Sequence, residues 1–348
     1  MAAYAAAGPL VVGCSGGADS LALVLALRAV VPDRPLIGVT VDHGLQDGSA
    51  DRARATADLL QRLGCAAVEV LTVTVGRAGG PEAAARQARY TALADLAATW
   101  AGAPILLAHT ADDQAETVLL GLARGSGPRS VAGMRPWRRP WGRPLLPVTR
   151  AATEATCAEA GLRPWRDPHN ADPAFTRVRL RTEVLPLLED VLGGGVRSAL
   201  ARTADLMSED LAALDTIAGA LLARATAGPE LDRRALVGQP AAIRRRVLRG
   251  WLAGCGARAL THDHLVRLDA QVVDDAGPAQ VRLPGGVDVL RRGDRLHAAP
   301  AGPAPDSPPR PGETPDRVGW QAWHAVRQDP SGTAPHPPEP PGRARERQ

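Results

Sequence analysis

Lysine is missing from this chain altogether: the 41 residues counted as Lys or Arg among its 348 are all arginine. That absence removes the Walker A nucleotide loop, which needs a lysine to reach the β- and γ-phosphates. Aromatic side chains are scarce too, at 3% with one Phe and two Tyr, so the core must be built from Ala, Leu and Val and few stacking platforms are expected. Cys14, Cys65, Cys157 and Cys255 stand far apart, with no CxxC pair and no zinc spacing. This argues against a disulfide framework or metal cluster and for a reducing compartment. No run reaches the roughly 18 unbroken apolar residues of a membrane span, and residues 1–8 lack the basic and apolar regions of a secretory leader. The expectation is a cytoplasmic protein with no membrane partner.

The cations that are present are all guanidinium, suited to bidentate phosphate contacts. With a net charge of only +4, this is compatible with RNA without demanding it, and genomic base composition explains the arginine bias equally well. At roughly 100–200 residues per domain, the length allows two domains and a tail.

The most informative stretch is 11–20, VVGCSGGADS. An apolar run leads into Ser15, Gly16, Gly17, Ala18, Asp19 and Ser20 and then into a leucine- and alanine-rich segment. Strand, glycine turn and helix in that order gather backbone N–H groups and a helix amino end into a phosphate site. The glycines are adjacent, so the dinucleotide GxGxxG pattern does not fit. The plainer alternative is an ordinary strand-to-helix turn capped by Asp19 and Ser20.

Apolar runs alternate with helical patterns: strands over 10–14, 36–41, 67–73 and 105–108, helices over 20–31, 51–63, 81–100 and 113–123. Such alternation predicts an α/β fold, a doubly wound parallel sheet. Ser15, Asp42 with His43, and His109 each follow a strand, where open α/β sheets bind ligands. From 203 to 271 the pattern is almost wholly helical, followed by short apolar runs at 281–283, 287–290 and 296–298 that suggest a small β-meander. After Pro300 come twelve prolines in 48 residues, a composition that cannot bury enough apolar surface to fold; within it, 317–327 with Trp320 and Trp323 has helical character. No internal repeat is evident. The expected division is 1–190 as a catalytic domain, 191–300 as a smaller mainly helical domain with the β-meander, and 301–348 as a disordered tail.

The second motif is His109-Thr110-Ala111-Asp112-Asp113-Gln114-Ala115-Glu116-Thr117. Acids at the start of a helix are favoured by its dipole, and Asp113 and Glu116, three apart, share a face. Two carboxylates on one face suit Mg²⁺ or an ammonium group. The alternative is that Asp112 caps the helix while Asp113 and Glu116 sit in solvent.

These motifs carry a family resemblance. SGGADS resembles the signature of the PP-loop ATP pyrophosphatases, and HTADDQAET resembles that of the tRNA(Ile)-lysidine synthetases. Val41-Asp42-His43-Gly44-Leu45, Arg86-Gln87-Ala88-Arg89-Tyr90, Arg124-Gly125-Ser126-Gly127, Arg143-Pro144-Leu145-Leu146, Trp165-Arg166-Asp167-Pro168-His169-Asn170 and Phe175-Thr176-Arg177 continue the series. The likeness is strong over 10–183, looser in the helical module and absent from the tail. Gln46, His169 and Val178 depart from the pattern, where the family usually has Arg, Ser and Asn.

The resemblance implies a two-step reaction. ATP adenylates the C2 carbonyl oxygen of the wobble cytidine in a tRNA(Ile) with a CAU anticodon, and the ε-amine of free lysine then displaces AMP. It implies ATP and Mg²⁺ as cofactors, Ser15–Ser20 at the pyrophosphate, Asp19 as a metal contact, Asp113 and Glu116 on the lysine amino groups, and Arg89 on its carboxylate. His109 either orients a phosphate or accepts a proton. The arginine runs at 124–143, 177–181 and 244–249 are candidate tRNA backbone contacts, and 203–298 is the candidate reader of tRNA identity. Two alternatives stay open: another PP-loop enzyme acting on tRNA, of the 2-thiocytidine type, which would want a CxxC pair, and an inactive tRNA-binding relative. An amide-forming ligase of the NAD or GMP synthetase type would share the loop but not the Arg-lined access. The oligomeric state is not legible.

Overall fold

The computed structural model describes residues 8–44, 48–76, 80–125, 127–275 and 277–301. Gln46, Ser126 and the proline-rich segment from 302 onward lie outside the described residues. The first half runs β1 (Leu10–Gly13), α1 (Ala18–Val30), β2 (Leu36–Asp42), α2 (Ser49–Arg62), β3 (Ala67–Thr72), α3 (Pro81–Thr99), β4 (Ile105–Leu106) and α4 (Ala111–Ala123). A short α5 (Pro128–Val131), the strands β5 (Trp137–Arg138) and β6 (Trp141–Gly142), and α6 (Arg150–Glu159) complete it.

The sheet order is β3-β2-β1-β4-β6-β5, parallel except for the β5–β6 pair. The doubly wound expectation holds, with an antiparallel hairpin added at one edge. Two-residue strands give no periodicity, which is why that hairpin is invisible in the sequence. Side chains alternate across β1: Leu10, Val12 and Cys14 pack with Leu21, Leu60 and Cys157 on one face, while Val11 joins Ile37, Val39 and Leu93 on the other. Both faces are covered, so the strands read as continuous apolar runs. Chain order reverses between β1 and β4, which opens a crevice at their carboxyl ends.

After α6, a 3-10 turn (Pro168–Ala171) leads to α7 (Thr176–Arg179), a π turn (Leu180–Val184) and α8 (Leu185–Val191), which follow one another without a break. Pro186 has no N–H to continue the i to i−4 ladder, and the π turn lies just ahead of it. The long α9 (Val196–Ala225) then packs against α4, α5 and the later α11. Beyond it lie β7 (Thr226–Ala227), β8 (Glu230–Asp232), α10 (Arg234–Val237), α11 (Ala241–Gly254), α12 (His262–Val273), β9 (Gln280–Leu283), β10 (Val287–Arg292) and β11 (Arg295–Pro300).

The expected meander is present as β9–β10–β11, but it belongs to a five-stranded antiparallel sheet in the order β7-β8-β11-β10-β9. The segment 203–271, read as almost wholly helical, is therefore interrupted by β7 and β8, strands of two and three residues either side of the Gly228-Pro229 turn. Trp251, Leu248, Leu268, Val281 and Leu296 fill the space between helices and sheet. Asp215 on α9 accepts from Arg129 at 3.1 Å and from Arg246 on α11 at 3.1 Å, which ties the two halves together.

Gly121 marks the closest approach in the first half, because a Cβ there would run into the Ser130 carbonyl of α5. Gly121→Ala is expected to cost about 1–3 kcal/mol through overpacking, read as a lowered urea midpoint with an unchanged slope; an unmoved midpoint would contradict this packing.

Candidate active site at the carboxyl edge of the sheet

The glycine loop leaves β1 and enters α1 without a side-chain cap. Gly17, extended at φ −78° and ψ 164°, is the N-cap residue and makes no side-chain hydrogen bond, so the Asp19 and Ser20 caps of the plainer alternative are not formed. Ser20 instead braces the loop from inside: its hydroxyl donates to the Gly17 carbonyl at 2.9 Å and accepts the Ser15 N–H at 3.2 Å. Gly16 sits at φ +79°, where a Cβ would lie 2.8 Å from Thr56 Oγ1, so glycine is required there on both counts. Cys14 lies buried below, and burial pushes its thiol up and keeps it protonated.

α4 begins at a capping box. Thr110 Oγ1 accepts the Asp113 N–H at 3.4 Å, and Asp113 Oδ2 accepts the Thr110 N–H at 2.9 Å. Thr110 is thus the cap, a place that the alternative reading gave to Asp112, and a T-x-x-D spacing is the sequence signal for it. Asp112 serves a different helix: its Oδ2 accepts the Arg150 N–H at 2.8 Å, at the amino end of α6. Asp113 and Glu116 are not solvated either. Glu116 is fully buried, and both carboxylates face arginines.

Arg150 reaches from α6 to Asp113 Oδ1 at 2.8 Å, to Asp19 Oδ2 at 3.3 Å and to Glu116 Oε1 at 3.9 Å. Arg181, in the π turn, holds Glu116 Oε1 at 2.7 Å and stands 3.6 Å from Asp113. Arg177 lies 3.6 Å from Glu116 Oε2, an oxygen that is buried and makes no hydrogen bond among the described residues. The Thr153 hydroxyl donates to Asp19. Burial alone would raise the Asp113 pKa; Arg150, the Thr110 N–H, His109 and Arg181 together outweigh it and leave the carboxyl below its ordinary value.

A second cluster, of cations and imidazoles, lines the same cleft. Burial pushes His109 down to about 3, with Arg143, Arg86 and Arg89 adding to the effect and Asp113 opposing it. Burial and Arg89 also lower His43. The ring Nδ1 of each histidine and Nε of Arg89 are buried without a hydrogen-bond partner among the described residues. Asp42 stays below the usual carboxylate range chiefly because it accepts the Gly44 N–H.

The cleft has a volume of about 1030 Å³, and of the ten residues singled out from the sequence all but Gly16 line it. Gly16 supports the rim instead: its carbonyl accepts the Trp165 N–H at 2.9 Å, and the Arg52 guanidinium lies 4.9 Å from the Trp165 ring centre. Sequence reasoning missed Arg150 and Arg52, and it quoted Trp165 as part of a motif without placing it in the site. It read Arg177 and Arg181 as surface groups when both turn inward onto Glu116. The run at 244–249 is likewise engaged inside the protein, Arg244 and Arg245 with Asp269 at 2.6 and 3.4 Å and Arg246 with Asp215 at 3.1 Å. Of the departures from the family pattern, Val178 is buried and His169 packs edge-on to Phe175 at 5.8 Å.

The His109 site has a pH signature. Above 6.5 the imidazole is neutral folded and unfolded, and its contribution to stability is complete; as pH falls through 6.5 the unfolded chain takes up a proton that the folded site refuses until about 3. Between pH 7 and 5 this group should remove about 2 kcal/mol of stability. His109→Gln is expected to flatten the stability profile over that window in denaturant titrations, and a profile parallel to wild type would show that His109 is not held neutral.

Comparison with known proteins follows the same outline. A PP-loop domain model matches residues 3–188, and a TilS substrate binding domain model matches residues 231–297. The chain is 53% identical over 302 residues to a tRNA(Ile)-lysidine synthase of Rhodococcus jostii, covering 85% of this chain and 91% of that one. It is 54% identical over 293 residues to that of Mycobacterium tuberculosis H37Rv, covering 82% and 87%. Among solved structures, the U34-tRNA thiolase NcsA of Methanococcus maripaludis aligns with a TM-score of 0.49 at 17% identity, covering 58% of this chain and 73% of that one. Among the described residues no helix is long and apolar enough to cross a membrane. By domain content and by identity over most of its length, this chain belongs to the tRNA(Ile)-lysidine synthase family.

Proposed function

We propose that the cleft makes lysidine at the wobble position of a tRNA(Ile) with a CAU anticodon, using ATP and free lysine. In the first half-reaction the cytidine O2 attacks the α-phosphorus, the new P–O bond forms and pyrophosphate leaves. In the second, the lysine ε-amine bonds to C2, the C2–O bond breaks, AMP departs and the ammonium protons are released. The observation that carries this reading is the meeting in one cleft of a glycine loop at a helix amino end and a pair of carboxylates, Glu116 buried and Asp113 partly so, in a chain of this family.

The open amino end of α1 and the Ser15–Ser20 N–H groups suit the charge that develops on the phosphates. Asp19 is a carboxylate beside that loop, and no cluster of three metal-ligating side chains occurs among the described residues. A lone carboxylate fits a Mg²⁺ held mainly by nucleotide phosphates, and such an ion would neutralise charge on the leaving pyrophosphate. Asp113 and Glu116 hold the lysine amino group and Arg89 its carboxylate. His109, kept neutral, orients a bound group by hydrogen bonding; with a pKa near 3 it is too weak a base to take the ammonium proton. Residues 1–190 form the catalytic unit, and 191–300 read tRNA identity. A 2-thiocytidine-type reaction is disfavoured by the lack of a CxxC pair.

The test is incorporation of radiolabelled lysine into a CAU-anticodon tRNA(Ile) transcript with ATP and Mg²⁺, beside a wobble C→U transcript. Label is expected on the first alone. Pyrophosphate release without label would point to a different nucleophile, and neither product would favour an inactive tRNA-binding protein. Asp113→Asn should raise the KM for lysine about 100-fold; an unaltered KM for lysine removes Asp113 from the site.

A further inference from the structure

We propose that Arg150 couples the two substrate sites: it occupies the carboxylates of Asp113 and Glu116 until nucleotide phosphate draws it away, so that nucleotide binding opens the ammonium site. The inference rests on the reading of Asp113 and Glu116 as that site.

The charges around the pair already balance. Asp19, Asp113 and Glu116 supply three negative groups, and Arg150, Arg177 and Arg181 stand within 4 Å of them as three positive ones. A further ammonium has no surplus negative charge to meet and must replace a cation. Arg181 is poorly suited to leave, since its Nε bonds the fully buried Glu116 at 2.7 Å and its departure would strip that carboxylate. Arg150 is suited to it. Its backbone is pinned by Asp112 at 2.8 Å and by the Thr149 cap, so only the side chain has to swing. That side chain is 22% exposed and already spans from Asp113 to Asp19, in the first turn after the phosphate loop.

A polyphosphate on the loop offers a guanidinium a bidentate, multiply charged partner, stronger than the single contacts it now makes. With Arg150 turned to the nucleotide, Asp113 Oδ1 is released to the lysine ammonium while Arg181 stays on Glu116. Coupling of this kind is reciprocal, so lysine must tighten nucleotide binding by the same factor.

The test is calorimetric titration of lysine into the full chain in Mg²⁺ buffer, with and without saturating α,β-methylene-ATP, which resists cleavage between the α- and β-phosphates. Wild type is expected to bind lysine about 10-fold or more tighter with the analogue. Arg150→Gln should bind lysine in the absence of nucleotide nearly as tightly as loaded wild type, with the two states within about 2-fold of each other. Arg150→Lys, which keeps a movable cation, should retain a coupling of about 5-fold. Equal lysine affinity with and without the analogue in wild type overturns the coupling, and this measurement needs no variant to fold. Coupling that persists in Arg150→Gln overturns the role of Arg150. Lysine binding that survives Asp113→Asn in both states overturns the ammonium site itself, a failure distinct from the other two.

Discussion

Everything at the cleft depends on one chain of charges: Asp19, Arg150, Asp113, Glu116 and Arg181 in succession, each within ion-pair distance of the next or sharing a partner with it. These residues come from α1, α6, α4 and the π turn, and directly paired members lie as far apart in sequence as Arg150 and Asp19, 131 positions. Removing charges from water is costly, and the attraction between them offsets that cost only where geometry is good and remaining lone pairs are met. Here the geometry is secured from the backbone outward. The Thr110 capping box fixes Asp113, Asp112 fixes the start of α6, and the register shift before Pro186 turns Arg181 inward. The exception is Glu116 Oε2, buried with no hydrogen bond among the described residues, and the proposed function gives that oxygen a use as part of an ammonium site.

The sheet makes this meeting possible. β1 is flanked by β2 and β4, so the loops after β1, β2 and β4 open onto one crevice. The glycine loop, Asp42 with His43, and His109 with α4 fall there because each follows a strand, and this much was legible from the alternation of apolar runs and helical patterns. The glycine turn between β1 and α1 and the shared face of Asp113 and Glu116 were legible as local strings.

What was not legible was long-range. Arg150 follows a threonine in an unremarkable helix, and nothing within ten residues marks it as the partner of Asp19 or Asp113. Glu116 sits on a helix whose amino end is acidic, a pattern shared by many solvated helices, and its burial depends on Arg177 and Arg181 arriving from some 60 residues downstream. Arginine runs read as surface charge because composition cannot say which way a side chain turns; several of these arginines are consumed by Glu116, Asp215 and Asp269. The β7–β8 hairpin was lost for another reason. Strands of two and three residues are too short for periodicity, leaving the Gly228-Pro229 turn as the one local sign.

The missing lysine takes on a chemical meaning in this light. The proposed second step presents an adenylated C2 to whatever amine is close, and a side-chain ammonium that loses its proton would compete with the free amino acid. Guanidinium does not deprotonate in proteins, so Arg86, Arg89, Arg150, Arg177 and Arg181 can crowd the cleft and bind anions without offering a nucleophile. Base composition accounts for arginine over the rest of the chain equally well. Within the cleft, the same substitution of Arg for Lys leaves free lysine as the amine that the carboxylate pair can hold and the activated base can meet.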